Sequence, residues 1–319
     1  MNSHPMGMTD SKTLSVPSYV LMTAAYNEEA FIEKTITSVL DQTVLPKKWV
    51  IVSDNSTDGT DAIIDRYAKQ HAFIHFVRVT RPPGHSFSSK VLALRNAASA
   101  LQDVQYEFIG NLDADVSIGA TYFADLIRRF EQFPRLGILS GFIYERSGGE
   151  FKSRPSNRVE SVPHAAQLVR RDCYEAIEGY AALKYGGEDW HAQICANMKG
   201  WDIEALPQLP IFHYKPTGAG ANLFRHRFRL GRLDYSFGSH PVFEILKCLI
   251  RLSERPVVLG AALRLAGFAW GYLRGEERGV SPECITFLRR QQVERLWLFR
   301  QPNDSKDKVT TGTALPEQF

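Results

Sequence analysis

Along the first part of the chain, short apolar runs alternate with stretches in which apolar residues recur at helical spacing. The runs at 18–24, 49–53 and 74–79 have the length and the β-branched and aromatic content of buried strands. The residues that follow the first run at the spacing of one helix face are Ile32, Ile36, Val39 and Leu40. Because strands alternate with helices of ordinary length, the pattern predicts an α/β fold whose mostly parallel sheet has helices on both faces.

A fourth apolar run begins at Tyr106 and ends abruptly in Asp113 and Asp115. In an open α/β sheet, ligands bind beyond the carboxyl ends of the strands, so these carboxylates are expected at a ligand-binding edge. Two carboxylates this close repel each other unless a cation or hydrogen-bond donors compensate, and their hard oxygens suit Mg²⁺ or Mn²⁺. The alternative is a strand followed by an Asp-rich turn.

The whole chain divides by composition into four parts. Residues 18–218 continue the α/β pattern, with further strands at 136–144 and 201–214. The polar, glycine-containing segment 145–155 is expected to be a loop, either at an acceptor entrance or simply in solvent. Residues 219–300 form a basic, helical C-terminal extension, and the polar ends at 1–17 and 301–319 are expected to be disordered.

Composition and charge narrow the class of protein. A chain of 319 residues with 44% hydrophobic content can hold one large domain and an appendage. The net charge of +3 is too small to indicate nucleic acid as a partner. The four cysteines lack close pairing, and no basic end followed by an apolar core opens the sequence, so we expect a cytoplasmic protein with reduced thiols.

Four short motifs follow one another along the first part of the chain. They are Ala-Tyr-Asn-Glu-Glu at 25–29, Ser-Asp-Asn-Ser-Thr-Asp-Gly-Thr at 53–60, Lys90 with Asn96, and Asp-Ala-Asp at 113–115. Taken together, they resemble the motifs of family 2 glycosyltransferases of the GT-A fold. Each is weak alone, but their order and spacing are specific, and the similarity covers about residues 17–215. The resemblance implies a GT-A type, Rossmann-like fold, a nucleoside diphosphate sugar as donor, Mn²⁺ or Mg²⁺ at the Asp-x-Asp motif, and inversion at the anomeric carbon.

The resemblance also implies roles for individual residues. Those implied in nucleotide-sugar binding are Ala25, Tyr26, Asn27, Glu28, Asp54, Lys90 and Asp113. Asp113 and Asp115 would bind the metal ion. Ser53 stands where the family often has a second Asp, so the resemblance does not predict the base of the nucleotide.

On the acceptor side, residues 185–190 read Tyr-Gly-Gly-Glu-Asp-Trp and resemble the family motif whose final Asp is the general base. This implies that Asp189 accepts the proton of the acceptor hydroxyl while Glu188 supports Asp189 or the acceptor. The alternative is that Asp189 caps a helix over 191–199. His213 follows an apolar strand, where the resemblance implies a third metal ligand and the alternative is a structural histidine.

Arginines at alternating positions in residues 222–232 favour a solvated helix face, a membrane-surface patch or a phosphate-binding site. Arg229 falls where processive members of the family carry Gln-x-x-Arg-Trp, and we assign it to nucleotide-sugar binding. His226 and Leu230 replace the Gln and the Trp of that motif. The missing Trp favours single transfer over processive synthesis.

The apolar segment 256–273 approaches membrane-spanning length but carries Arg264 at its middle. A central Arg costs about 2.5–3.5 kcal/mol on insertion scales, whereas each Leu, Val or Phe returns about 0.3–0.6 kcal/mol. The segment therefore favours either a helix lying among lipid headgroups or a helical subdomain packed on the core. The basic residues that flank it and suit the first alternative are Arg251, Arg255 and Arg274.

The sequence thus predicts a metal-dependent glycosyltransferase that moves one sugar to a hydroxyl acceptor, lipid-linked or glycan, in surface polysaccharide assembly. We expect it in the cytoplasm or peripherally at the inner face of the cytoplasmic membrane, without a nucleic-acid partner. The competing hypotheses are a processive polysaccharide synthase and a non-catalytic membrane or nucleic-acid adaptor that uses the arginine segment.

Overall fold

One mixed sheet runs through the computed structural model, which describes residues 17–80, 88–215, 222–253 and 256–298. The nine strands of this sheet are β1 (Tyr19–Ala25), β2 (Lys48–Asp54), β3 (Ile74–Val79), β4 (Phe108–Leu112), β5 (Val116–Ile118), β6 (Leu136–Ser147), β7 (Glu150–Ser153), β8 (Ala166–Arg170) and β9 (Asp202–His213). The predicted disordered tail at 301–319 and residues 1–16 of the predicted N-terminal lead-in lie outside the described residues, as does Arg255.

The helices include six within the α/β region and four in the C-terminal extension. The first six are α1 (Ile32–Leu40), α2 (Thr60–Gln70), α3 (Ser88–Ser99), α4 (Tyr122–Gln132), α5 (Arg171–Ala176) and α6 (Glu188–Met198). The extension contains α7 (Leu223–Ser236), α8 (Pro241–Ile250), α9 (Leu259–Leu273) and α10 (Pro282–Leu298). The predicted α/β class and the helical extension are both present.

The strands follow the order β3-β2-β1-β4-β8-β6-β9-β5, with β7 paired to β6. The first four run parallel, so the ends of β1, β2 and β4 meet at one edge of the sheet. The antiparallel pairing of β5 with β9 sets Val116 opposite His213. This register brings the histidine beside the acidic turn that follows β4.

Side chains alternate between two cores on the two faces of the sheet, as the period of a strand requires. Leu21 and Ile51 lie in the cluster that includes Ile32 and Ile36 of α1. Their neighbours Val20 and Val50 lie in a second cluster, with α3 side chains such as Val91 and Leu94. Because both faces are covered, the parallel strands are continuous apolar runs, which is how the sequence revealed them.

The predicted loop at 145–155 is wrong, because β6 and β7 form a hairpin there. The turn between them uses Gly148 and Gly149, whose φ angles of 63° and 94° suit glycine. In the hairpin, Glu145 lies in register with Lys152. The segment looked like a loop because β7 is a solvent-exposed edge strand, where polar side chains are tolerated and limit pairing with other chains.

The apolar segment around Arg264 packs as a helix on the other helices of the extension. The guanidinium of Arg264 is buried, with Nη2 at 2.6 Å from Asp234 Oδ2 and Nε at 3.3 Å from Glu244 Oε1. Lys247 completes the buried cluster through ion pairs with the same two carboxylates. The central arginine therefore serves an interior ion cluster, and α9 has the packing expected of the predicted helical subdomain.

Glycines allow α7 and α9 to approach each other closely. A Cβ atom added at Gly231 would lie 1.8 Å from the carbonyl oxygen of Arg264, and one at Gly267 would lie 2.0 Å from that of Phe228. The extension is also joined to the α/β region, where Trp190 of α6 stacks on Phe237 with ring centroids 4.1 Å apart. The extension thus packs beside the start of α6.

Candidate active site

Asp113, Asp115 and His213 come together at the edge of the sheet as predicted. One oxygen of each carboxylate and one ring nitrogen lie within 4.8 Å of one another, and His213 Nε2 is 3.2 Å from Asp115 Oδ1. Burial lowers the pKa of His213, but its hydrogen bond with Asp115 and the nearby charges raise it overall. Two carboxylates and an imidazole form a donor set that fits Mn²⁺ or Mg²⁺.

Lys90 lies beside this triad on α3. Its Nζ is 2.6 Å from Asp113 Oδ1, and Asn111 donates a second hydrogen bond of 3.2 Å to the same oxygen. Burial lowers the pKa of Lys90, but the charges of Asp113, Glu188 and Asp189 outweigh it and raise the pKa. One ammonium group therefore lies between the acidic turn after β4 and the start of α6.

The motifs after β1 and β2 meet at the same edge and bind each other. Asn27 Oδ1 accepts a 2.8 Å hydrogen bond from the backbone of Thr57, and the backbone N–H of Glu28 donates to Thr60 Oγ1 at 2.8 Å. Asn27 and Asn55 have φ angles of 52° and 61°, a left-handed conformation that asparagine tolerates well. Of the predicted nucleotide residues, Ala25 and Asp54 end β1 and β2, and Tyr26, Asn27 and Glu28 lie in the turn after β1.

Ser53 and Glu28 add details that the sequence did not reveal. Ser53, where the family often has an Asp, shares a 2.8 Å hydrogen bond with Ser56 and so helps to shape the turn. Glu28 Oε1 lies 2.5 Å from Lys215 Nζ, a contact across 187 residues of sequence. Burial, aided by the charge of Asp115, raises the pKa of Glu28 to about 7.

Asp189 lies in the first turn of α6 rather than at its cap. The N-cap position is Gly187, with φ of 89°, and Asp189 Oδ1 accepts a 2.7 Å hydrogen bond from the backbone of Trp190. The predicted helix over 191–199 therefore begins earlier, at Glu188. Burial, followed by the charge of Glu188, raises the pKa of Asp189 to about 6, which suits a general base near neutral pH.

His164 is a residue of this region that sequence reasoning missed. Its buried ring lies with Nδ1 3.9 Å from Glu188 Oε1 and packs edge-on against Tyr180 at 4.3 Å between centroids. Burial, followed by the charge of Lys90, lowers its pKa well below the usual value, so the ring is neutral. No sequence signal marked it, because a lone histidine before a strand is common and its neighbours come from distant segments.

The arginine segment forms α7, and Arg229 lies beside the loop that leads into α6. Its Nη1 donates a 2.5 Å hydrogen bond to the carbonyl oxygen of Tyr185, and the charge of Glu188 reaches its guanidinium. Arg229 thus adjoins the acceptor-side motif. Its assignment to nucleotide-sugar binding stays a prediction, as do the catalytic roles of Asp189 and Glu188.

The sequence is similar to those of known glycosyltransferases. The model of the family described as Glycosyl transferase family 2 matches residues 21–185. Among curated relatives, the chain is 30% identical over 159 residues to poly-beta-1,6-N-acetyl-D-glucosamine synthase of Staphylococcus epidermidis, covering 50% of this chain and 35% of that one. It is 35% identical over 99 residues to the putative teichuronic acid biosynthesis glycosyltransferase TuaG of Bacillus subtilis, covering 31% and 36%. The chain thus spans about a third of the length of these relatives.

Solved structures share the fold at low sequence identity. The mannosyltransferase PcManGT from Pyrobaculum calidifontis, in complex with GDP-Man and Mn²⁺, aligns with a TM-score of 0.52 and 18% identity over 89% of this chain and 81% of that one. TarS residues 1–349 of S. aureus, in complex with UDP-GlcNAc, align with a TM-score of 0.51 and 16% identity over 85% and 78%. These likenesses show the GT-A fold.

Proposed function

The chain belongs to glycosyltransferase family 2, and from that premise we propose that it transfers one sugar, with inversion, from a nucleoside diphosphate sugar to an acceptor hydroxyl. The observation that carries this proposal is the meeting of the candidate metal-ligand triad and the partly buried Asp189 around Lys90. A donor site and a candidate base are thereby neighbours at one edge of the sheet. We place the reaction in surface polysaccharide assembly, in keeping with the names of the relatives.

In the proposed reaction, the acceptor oxygen attacks the anomeric carbon and forms the new glycosidic bond. The bond between that carbon and the diphosphate oxygen breaks, and its electron pair leaves with the nucleoside diphosphate. Asp189 accepts the hydroxyl proton, which it can do because its carboxyl is ionised above a pKa of about 6. Glu188 lies next to Asp189 and orients the acceptor.

Asp113, Asp115 and His213 would hold Mn²⁺ or Mg²⁺, which when bound neutralises the charge that develops on the diphosphate. Lys90 adds a fixed positive charge beside Asp113 and limits the repulsion among the acidic groups. Asn27, Glu28 and Asp54 would bind the nucleotide at the ends of β1 and β2. Arg229 would contact the phosphates of the donor.

We further propose single transfer rather than processive synthesis, with peripheral contact at the cytoplasmic membrane. Within the described part of the chain, every helix is too short or too polar to cross a bilayer. Exposed apolar side chains nevertheless concentrate on α8 and α9, with Ile250 74% and Leu273 81% exposed. Arg274 lies beside them and supplies a charge that suits anionic headgroups.

Calorimetric titration with a panel of nucleoside diphosphates and their sugars, with and without Mn²⁺, tests the proposed function. We expect one nucleotide to bind only with the metal, and the binding to disappear in Asp115→Ala. Asp65→Ala, on α2 and with a side chain that is 47% exposed, is the matched control and should bind as the unaltered protein does. Binding of no nucleotide under any condition would instead favour the adaptor hypothesis.

A further inference from the structure

A cavity of about 460 Å³ opens beside the loop that leads into the candidate base. Its walls come from α7, from α9 and from Tyr185, which lies in the loop that leads into α6. The lining residues combine arginines with aromatic and aliphatic side chains: Tyr185, Phe224, Arg225, Phe228, Arg229, Arg232 and Leu263. We call this cavity the α7–α9 groove.

The α7 side of the groove is basic. Residues 223–233 hold four arginines and no carboxylate, and three of these arginines line the groove. The side chain of Arg225 is exposed and makes no ion pair with the side chains that the structure describes. Arg232 pairs with Glu276, but a guanidinium has five donors, so this arginine can still bind an anion. Arg229 already contacts the carbonyl oxygen of Tyr185 and Nδ1 of His226. Phosphate is the anion that a fork of guanidinium groups matches best.

The groove is also apolar along one side, and this side continues onto the surface. Leu263 and Phe228 line the groove, and Phe228 contacts Trp270 of α9 with ring centroids 6.4 Å apart. Trp270 belongs to the free face of α9, whose exposed apolar residues are Leu259, Leu265, Trp270, Tyr272 and Leu273. An apolar path therefore leads from the arginines to the outside of the extension. A small hydrophilic anion bound at the arginines would leave these apolar side chains exposed to water.

We propose that the α7–α9 groove binds the acceptor, and that the acceptor is an amphiphile in which a phosphate joins a long lipid chain to the group that carries the reacting hydroxyl. The phosphate lies between Arg225 and Arg232, and the chain leaves along Phe228 and Leu263. The hydroxyl-bearing group then extends past Tyr185 towards Asp189, which lies four residues further along the chain, in the first turn of α6. This inference rests on the proposed function, because it names the acceptor of that reaction.

Titration calorimetry with farnesyl phosphate, farnesol and glycerol 3-phosphate tests the assignment. The titrations are done without added metal, so that phosphate does not bind through a cation at Asp113, Asp115 and His213. Farnesyl phosphate should bind at least about tenfold more tightly than either of the other two, since only it satisfies both the arginines and the apolar wall. Arg225→Gln should weaken its binding about fivefold, in the range expected for an exposed charged contact.

The controls separate this inference from the proposed function. Arg290→Gln removes an arginine that is 80% exposed on α10, and it should leave farnesyl phosphate binding unchanged. Both variants should bind nucleotide with Mn²⁺ as the unaltered protein does, which also shows that they are folded. Equal binding of glycerol 3-phosphate would overturn the lipid assignment, and equal binding of farnesol would overturn the phosphate assignment. If nucleotide binds but farnesyl phosphate does not, the groove is not the acceptor site and the proposed function is unaffected.

Discussion

The Nζ atom of Lys90 lies 2.6 Å from Oδ1 of Asp113. Lys90 thus lies between the candidate metal ligands and the acceptor-side motif that contains Asp189. Burial lowers the pKa of this lysine, but the charges of Asp113, Glu188 and Asp189 raise it overall. The same charges act in return on Asp189, whose pKa Glu188 raises and Lys90 lowers. The charge of one lysine thus links the candidate metal site to the ionisation of the candidate base.

This link predicts opposite changes in the pH dependence of activity for two variants. Transfer should increase with pH through about 6, because Asp189 must lose its proton to act as a base. Lys90→Met removes a positive charge and should move the midpoint to higher pH. Glu188→Gln removes a negative charge and should move it to lower pH, whatever each does to the maximal rate. Midpoints that stay in place in both variants would show that Asp189 is not the titrating group.

Asp189→Asn should lower the rate of transfer by about 10²–10⁴-fold, the range of one general base. Donor binding should be unchanged, because the side chain belongs to the acceptor side. Asp172→Asn, on the exposed surface of α5, is the matched control and should keep full activity. Kinetics with saturating donor, together with nucleotide calorimetry, distinguish these results. A variant that keeps full transfer activity would support the helix-start role of Asp189 and would show that Asp189 is not the general base.

His213→Ala should raise the Mn²⁺ concentration needed for half-maximal activity by at least about tenfold, since even the loss of a residue outside the ligand shell commonly costs that much. The reason is the loss of an imidazole nitrogen 3.2 Å from the Asp115 carboxylate. His75→Ala, at an exposed position on β3, should leave the metal requirement unchanged. An unchanged requirement in His213→Ala would assign His213 to the structural alternative.

Gly231→Ala should destabilise the protein by about 1–3 kcal/mol, the usual cost of an overpacked site. At an exposed position in a helix, Gly→Ala would instead stabilise the protein by about 1 kcal/mol. The sign of the change in the free energy of unfolding therefore shows whether the site is tightly packed. The added Cβ would lie 1.8 Å from the carbonyl oxygen of Arg264 and force α7 and α9 apart. Gly119→Ala, with open space around it, is the control. Urea denaturation of both variants measures the difference, and equal stabilities would mean that the two helices separate freely.

The sequence was enough to predict the parts of the site that lie in local motifs. Asp113 and Asp115 follow a buried run directly, and the resemblance to a known family added His213 as their distant partner, which the structure confirms as a neighbour. The strands β1 to β4 were visible because burial on both faces makes them continuous apolar runs.

Features that depend on contacts between distant segments could not be predicted. Glu28 binds Lys215 and His164 lies beside Glu188 only because the sheet brings those segments together. The β7 hairpin was missed because exposed edge strands and loops share a polar composition. The role of Arg264 could not be predicted before its carboxylate partners on α7 and α8 were known. An arginine in an apolar helix is compatible both with a buried ion cluster and with a helix that lies among lipid headgroups.

Arg264 also limits how α9 can turn. Asp234 and Glu244 hold its guanidinium from two other helices, so the helix cannot rotate about its axis without leaving buried charges unpaired, at a cost of about 3–5 kcal/mol. The face that carries Leu265 and Leu273 therefore keeps a fixed direction relative to the catalytic edge. A protein resting on a bilayer through this face would hold Asp189 at a constant height above the headgroups. Acceptors would then be selected by the distance from phosphate to hydroxyl, and the length of the lipid chain would matter little.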